Sequence, residues 1–276
     1  MMNGITSEMR TGVKSGYAPV NGLQFYYEIH GRGQPLVLLH GAMSAIGTSF
    51  GKILPSLART RQVIAMDQQA HGRTADIDRP LTNRQMAEDT AALLEYLGIE
   101  KADFFGYSMG SGTALQIAIH HPEIVRKLVL ASITYNLNGF HPGLIEGLAN
   151  MKPENMVGTP WQEEYARIAP RPEDWPRLVA KVTDLNMHIP SLPAEAIRSI
   201  KAPTLIIIGD SDIVRPEHAV EMFRLLGGGV FGDAAGMPDS QLAILPGTSH
   251  VTLVDRAEML LAIVPAFLDL PIQKAV

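Results

Sequence analysis

Six short runs of mainly apolar residues constrain this chain most: 36–39, 63–66, 102–105, 128–130, 204–208 and 242–245. Each meets a polar residue or a glycine within two residues of its end. Runs of this length, mostly apolar and not alternating, suit strands buried on both faces of a parallel sheet. Helical patterns lie between them. The 83–97 segment carries Met86, Leu93, Leu94 and Leu97, with Gly98 placed to end it; 113–121 stops at Pro122, and 217–226 runs into Gly227-Gly228-Gly229. Strand alternating with helix predicts an α/β domain, a mostly parallel sheet with helices on both faces. Ahead of these elements, two β-prone runs at 17–20 and 23–29 flank Asn21-Gly22, a dipeptide that supplies the positive φ angles of a tight hairpin.

One stretch breaks the rhythm. Residues 134–202 hold no convincing central strand but many prolines, several methionines, both tryptophans and short amphipathic pieces. The stretch is too apolar to be a solvated linker and reads as a helical insertion over the sheet. The expected organisation is a core of residues 17–133 and 203–276 with a helical cap at 134–202. A length of 276 residues fits one such domain carrying an insertion.

Composition narrows the partners. The formal charge is −5, acidic and basic residues are mixed, and no basic block recommends nucleic acid. Cysteine is absent, which removes disulfides, thiolate nucleophiles and cysteine-held metals. Residues 1–16 are polar and lack the apolar core of a secretory signal, and no apolar run is long enough to span a bilayer. A cytoplasmic protein with no membrane partner is expected, the first dozen residues reading as unstructured lead-in. The glycine-rich 227–238 stretch suits either a surface insertion or a contact within a homodimer.

Gly106-Tyr107-Ser108-Met109-Gly110 is a G-x-S-x-G pentapeptide. Alone it is a weak signal, met by chance in about one chain in ten of this composition. Its context is more specific, because a predicted strand precedes it and a helix follows. There a sharp strand-to-helix turn presents a serine hydroxyl at the carboxyl end of the sheet. Such a hydroxyl is a poor nucleophile until a base takes its proton. Of nine histidines, His250 is best placed, on a loop after the last predicted strand. His120 and His121 precede Pro122 as helix-end residues, while His141, His188 and His218 fall in exposed-looking polar contexts.

The imidazole needs an acid to hold its tautomer. Gly209-Asp210-Ser211-Asp212 offers two after the penultimate strand. Asp212 is the better placed, since Asp210 lies where it can tie down the turn through backbone amides. An oxyanion would need donors already in position. The amides of Met109, next to the serine, and of Ala42, in His40-Gly41-Ala42-Met43, are the candidates. His40 finds no second ligand at metal-binding spacing and reads as structural.

Together these pieces resemble the α/β-hydrolase superfamily over about residues 17–264. The shared features are His40-Gly41, the segment from Asp67 to Thr74, the elbow at Ser108, Gly209 to Asp212 and Gly247 to His250. Gln69 and Ala70 stand where the family usually has arginine and glycine, and Ser111 where another glycine is common. The resemblance implies an α/β-hydrolase fold with an eight-stranded, mostly parallel sheet, a cap over the site, and no cofactor or metal. A serine at the elbow separates the chain from dehalogenases and epoxide hydrolases, which use aspartate. Glu163 and Glu164 in the cap leave room for a proline iminopeptidase, although a solvated helix face is the simpler reading.

The activity expected is hydrolysis of small esters or lactones of short to medium acyl chain, N-acyl homoserine lactones among them, through Ser108, His250 and Asp212. Substrate contacts are expected from Tyr135, Phe140, Met156, Trp161, Tyr165, Trp175 and Met187. A carbon–carbon bond hydrolase, a cofactor-free perhydrolase and a non-catalytic small-molecule receptor share the same layout.

Overall fold

A computed structural model describes residues 12–272 of the chain; the lead-in reading for the first dozen residues falls largely outside them. Eight strands form one sheet: β1 (Lys14–Val20), β2 (Leu23–His30), β3 (Gln34–Leu39), β4 (Arg61–Met66), β5 (Ala102–Tyr107), β6 (Val125–Ala131), β7 (Thr204–Ser211) and β8 (Gln241–Ser249). Their order is β1-β2-β4-β3-β5-β6-β7-β8, with β2 antiparallel to both β1 and β4, and β3 to β8 mutually parallel. The hairpin turns at Asn21 and Gly22, both at positive φ (48° and 83°). β1 begins at Lys14, three residues ahead of the run read from sequence, because its long partner supplies ladder bonds as far as Ile29.

The apolar runs feed two cores by strand alternation. Val37, Leu39, Ile64, Met66, Phe104, Leu128, Leu130, Ile206 and Ile208 face the helices Asn83–Tyr96 and Met109–His120. Leu36, Leu38, Val63, Ala65, Phe105, Val129, Leu205 and Ile207 face the helix Ala257–Asp269 on the other side. In the second core Phe50 and Phe105 meet edge to face at 5.4 Å. Truncating either buried ring to alanine would cost about 3–5 kcal/mol.

Among the described residues, 134–202 contributes helices and no strand. The longest pieces are Pro160–Ile168 and Trp175–Met187. Leu178, Val179, Val182 and Leu185 of the second helix pack with Tyr165 and Trp175 against Met43, Met86 and Met109 of the core. A polar latch fixes the same helix. Lys181 Nζ donates to Asp76 Oδ1 (2.8 Å) and to the carbonyls of Ile77 and Arg79, and the Arg177 guanidinium forms an ion pair with Asp76, Nε lying 2.7 Å from Oδ2. The 227–238 stretch forms a short helix, Gly232–Ala235, just ahead of edge strand β8, with Phe231 and Met237 exposed. No helix among the described residues is long and apolar enough to cross a membrane.

Candidate active site

The site grows from the carboxyl ends of β5 to β8. Ser108 stands between β5 and the helix Met109–His120 with φ 54° and ψ −117°, a left-handed conformation costing about 1–3 kcal/mol in a non-glycine residue. The surroundings hold it there: its N–H donates to the Ala131 carbonyl (2.9 Å), and its carbonyl accepts from the Gly112 amide (3.1 Å). The flanking glycines are steric requirements. A Cβ at position 106 would land on the Gly110 carbonyl, and one at position 110 on the Leu39 carbonyl. Buried Ser111 adds a clamp, its hydroxyl lying within bonding distance of the carbonyls of Gly106 (2.7 Å) and Ala131 (2.8 Å).

Three residues far apart in sequence meet here. His250 Nδ1 lies 3.1 Å from Asp212 Oδ1, and His250 Nε2 lies 3.0 Å from Ser108 Oγ. A carboxylate only accepts, so Nδ1 carries the proton and Nε2 is left to accept from the serine hydroxyl. Asp212 also receives the Ser132 hydroxyl at Oδ2 (2.6 Å), the Gly209 amide at Oδ2 and the Val214 amide at Oδ1 (3.3 Å each). Burial pushes the Asp212 carboxyl upward, but His250, Ser132 and the amides outweigh it and hold it below the usual carboxylate range. Asp210 has a different task. It is exposed and accepts from the amides of Gly247 (2.8 Å) and Thr248 (3.1 Å), and these bonds, the Gly247 one above all, lower its pKa while tethering the loop that carries His250.

Two positioning residues escaped the sequence reading. Ser132 follows β6, eighty positions from Asp212, and takes a left-handed φ of 55° as its hydroxyl reaches the carboxylate. Tyr107 stacks on the His250 ring at 5.3 Å and donates its hydroxyl to the His250 carbonyl (2.8 Å), holding ring and backbone of one residue. Burial raises the Tyr107 pKa, so the phenol keeps the proton it donates. Strand order could have flagged Ser132, since it directly follows the strand between β5 and β7.

His40 lies fully buried beneath the site. Its Nδ1 donates to the Gly41 carbonyl (2.8 Å) and its Nε2 accepts from the Gln68 amide (2.9 Å), leaving no ring nitrogen for a metal. Burial pushes its pKa down to about 4, so it is neutral. It thereby ties the loop bearing Ala42 to the loop after β4. Ala42 and Met109, the expected oxyanion donors, both line the cavity beside Ser108.

That cavity, about 380 Å³, lies between sheet and cap. Phe140, Met156 and Trp161 line it as expected, joined by Leu144, Met151 and Ile213. Four other expected contacts do not. Tyr135 turns to α-helical neighbours, stacking on His218 at 4.6 Å and donating to Glu221 (2.7 Å). Tyr165 and Trp175 pack against each other at 5.3 Å in the interior of the cap. Met187 ends its helix exposed, 42% accessible. His218, which looked exposed in sequence, is 2% accessible and neutral, burial lowering its pKa. Glu163 is exposed and Glu164 pairs with Arg167 (2.6 Å), away from the cavity lining.

Comparison with known proteins agrees with this architecture. Residues 34–257 match the alpha/beta hydrolase fold family. A 2-hydroxymuconate semialdehyde hydrolase from Pseudomonas sp. (strain CF600) is 30% identical over 216 residues, 67% of this chain and 73% of the relative. Among solved structures, a meta-cleavage product hydrolase from Pseudomonas fluorescens IP01 superposes with a TM-score of 0.73 at 22% identity, covering 94% of this chain and 98% of that one. The enol-lactonase from Burkholderia xenovorans LB400 gives 0.66 at 22% identity, covering 91% and 99%. The eight-stranded sheet, the serine elbow and these matches make the chain a hydrolase of the α/β-hydrolase fold family.

Proposed function

We propose that this chain hydrolyses uncharged carboxylic esters or lactones of short to medium acyl length, with Ser108 as nucleophile. The observation that carries the reading is the chemistry of the cavity wall. Ser108 Oγ and His250 open onto it, and no lysine, arginine, aspartate or glutamate is among its lining residues. A substrate carboxylate would be stripped of water there with no cation to receive it, at a cost of several kcal/mol. A neutral acyl chain meets apolar side chains instead. The volume of about 380 Å³ is near the small end of ligand cavities, which run roughly 300–1,000 Å³.

In the proposed cycle Ser108 Oγ attacks the ester carbonyl while its proton passes to His250 Nε2. Asp212, ionised and fully bonded, orients the imidazole and stabilises the imidazolium. The amides of Ala42 and Met109 receive the oxyanion. The alkoxide departs with the proton from His250, and a water activated by the same nitrogen hydrolyses the acyl-enzyme. From a lactone the alkoxide stays tethered to the acyl group and must swing clear before water attacks.

The name of the Pseudomonas relative keeps carbon–carbon cleavage as the second reading. The test is hydrolysis of p-nitrophenyl esters of graded acyl length, an N-acyl homoserine lactone and a carboxylate-bearing ring-cleavage product, with Ser108→Ala in parallel. Ester or lactone turnover that vanishes in the variant supports the proposal. Turnover confined to the carboxylate substrate, or equal turnover in the variant, overturns it.

A further inference from the structure

The cap wall of the cavity comes largely from the helix Trp175–Met187 and the residues after it. Val182, Leu185 and Asn186 line the space at the i, i+3, i+4 spacing of a single helix face, and Ile189, two residues past the helix end, joins them. Three of the four are apolar. The fourth is an amide set in the same stripe.

The other hydroxyl and amide side chains of the lining are already bonded within the chain. Ser44 bonds Thr48 and Ser49, Asn83 donates to the Met109 carbonyl (2.8 Å), Tyr107 to the His250 carbonyl, and Ser132 to Asp212. Ser108 faces His250, and Thr134 donates to the Asn136 carbonyl. The Asn186 side chain makes no hydrogen bond to another described residue, and the residue is half-buried at the cavity wall. Asparagine is also a poorer helix former than the leucine that would continue the stripe. No side chain or backbone group among the described residues bonds this amide, which leaves it open to a ligand group in the cavity. The lining is uncharged, and an amide both donates and accepts. The matching group is therefore neutral and polar.

Building on the ester and lactone reading, we infer that the cavity receives an acyl group bearing its own neutral hydrogen-bonding function, a secondary amide or a hydroxyl, and that Asn186 reads it. A wall built to bond such a group discriminates against the alkyl isostere, because the amide then loses water without gaining a partner.

The test uses matched p-nitrophenyl esters: N-acetylglycine against pentanoate, N-acetyl-β-alanine against hexanoate, and N-acetyl-4-aminobutyrate against heptanoate. Each kcat/KM is divided by the ester's rate with hydroxide, which removes intrinsic reactivity. In at least one pair the amide ester should be favoured about tenfold, and Asn186→Leu should reverse the preference. Asn186→Gln, which keeps the amide, should retain part of it. Melting temperatures of the variants are compared with the parent to establish folding. A parent that handles every alkyl ester as well as its amide partner overturns the inference and leaves ester hydrolysis standing. A preference unmoved in a folded Asn186→Leu protein overturns it equally. Turnover of none of the esters removes the reading beneath it, and the inference with it.

Discussion

Both ends of the sheet bury an aspartate, and the two are used differently. At the amino end Asp103 of β5 meets Arg61 of β4 (3.1 Å) and Arg126 of β6, while Lys127 donates to the carbonyls of Phe267 and Leu268. Asp103 and Arg61 are 0% and 3% accessible. At the carboxyl end Asp212 has a side chain equally buried, but its partner is His250 and the far side of that ring faces Ser108 and the cavity. Guanidinium is permanently charged, so the arginine partners of Asp103 have one state and fasten the last helix to the sheet. Imidazole changes charge near neutral pH, so the second can pass a proton. What separates a structural carboxylate from a mechanistic one is the permanence of its partner's charge and whether that partner opens onto space.

Changing each carboxylate should produce opposite kinds of damage. Asp212→Asn should lower kcat/KM for an ester on the order of 10³–10⁴-fold, since an amide no longer enforces the productive tautomer. Stability should separate the two proteins with pH. The depressed Asp212 pKa contributes stability that is complete above the ordinary carboxylate value of about 4 and is lost as pH falls through its own lower value. Parent and variant should therefore converge in melting temperature below about pH 4, and a constant gap would refute that linkage.

Asp103→Ala should do the reverse. Removing the acid shared by buried Arg61 and half-buried Arg126, with Asp269 left as the partner of Arg61, is expected to cost about 3 kcal/mol in denaturant unfolding. The kcat of the folded fraction should stay at the parent's value, and a selective loss of kcat would break the contrast between the ends.

The smallest effect belongs to Ser132→Ala. A hydrogen bond to a charged group contributes about 1.5–3 kcal/mol, so kcat should fall at least roughly tenfold with KM little changed. Without that donor the Asp212 pKa rises, and the acid-side loss of activity should begin at higher pH than in the parent. An unmoved pH profile would reduce Ser132 to a packing residue.

The sequence made one kind of information plain and hid another. Buried parallel strands are short apolar runs ending in polar residues, so the ends of β5, β7 and β8 could be located and with them Ser108, Asp212 and His250. The two aspartates at the end of the 204–208 run were separable because Asp210 lies nearer it, where it meets turn amides. Side-chain direction in the cap was not legible. Tyr135, Tyr165 and Trp175 were expected at the cavity for their size, yet each buries its ring against another aromatic ring instead. Met187 and Asn186 are adjacent on one helix, and the face decides that the amide lines the cavity and the thioether meets solvent. The spacing of Val182 and Leu185, four and one positions ahead of Asn186 on that helix, carried that signal. Ser132 and Tyr107 act on residues 80 and 143 positions away, across contacts that exist only once the sheet is assembled.

The most direct measurement is stoichiometric labelling by an uncharged p-nitrophenyl alkylphosphonate ester of hexyl length, a stable mimic of the tetrahedral intermediate. One equivalent of p-nitrophenolate released per chain, with the phosphonyl mass on the Ser108 peptide and none in Ser108→Ala, is the predicted result. Label on another residue, or no label while ester hydrolysis proceeds, would contradict the assignment of Ser108 as nucleophile.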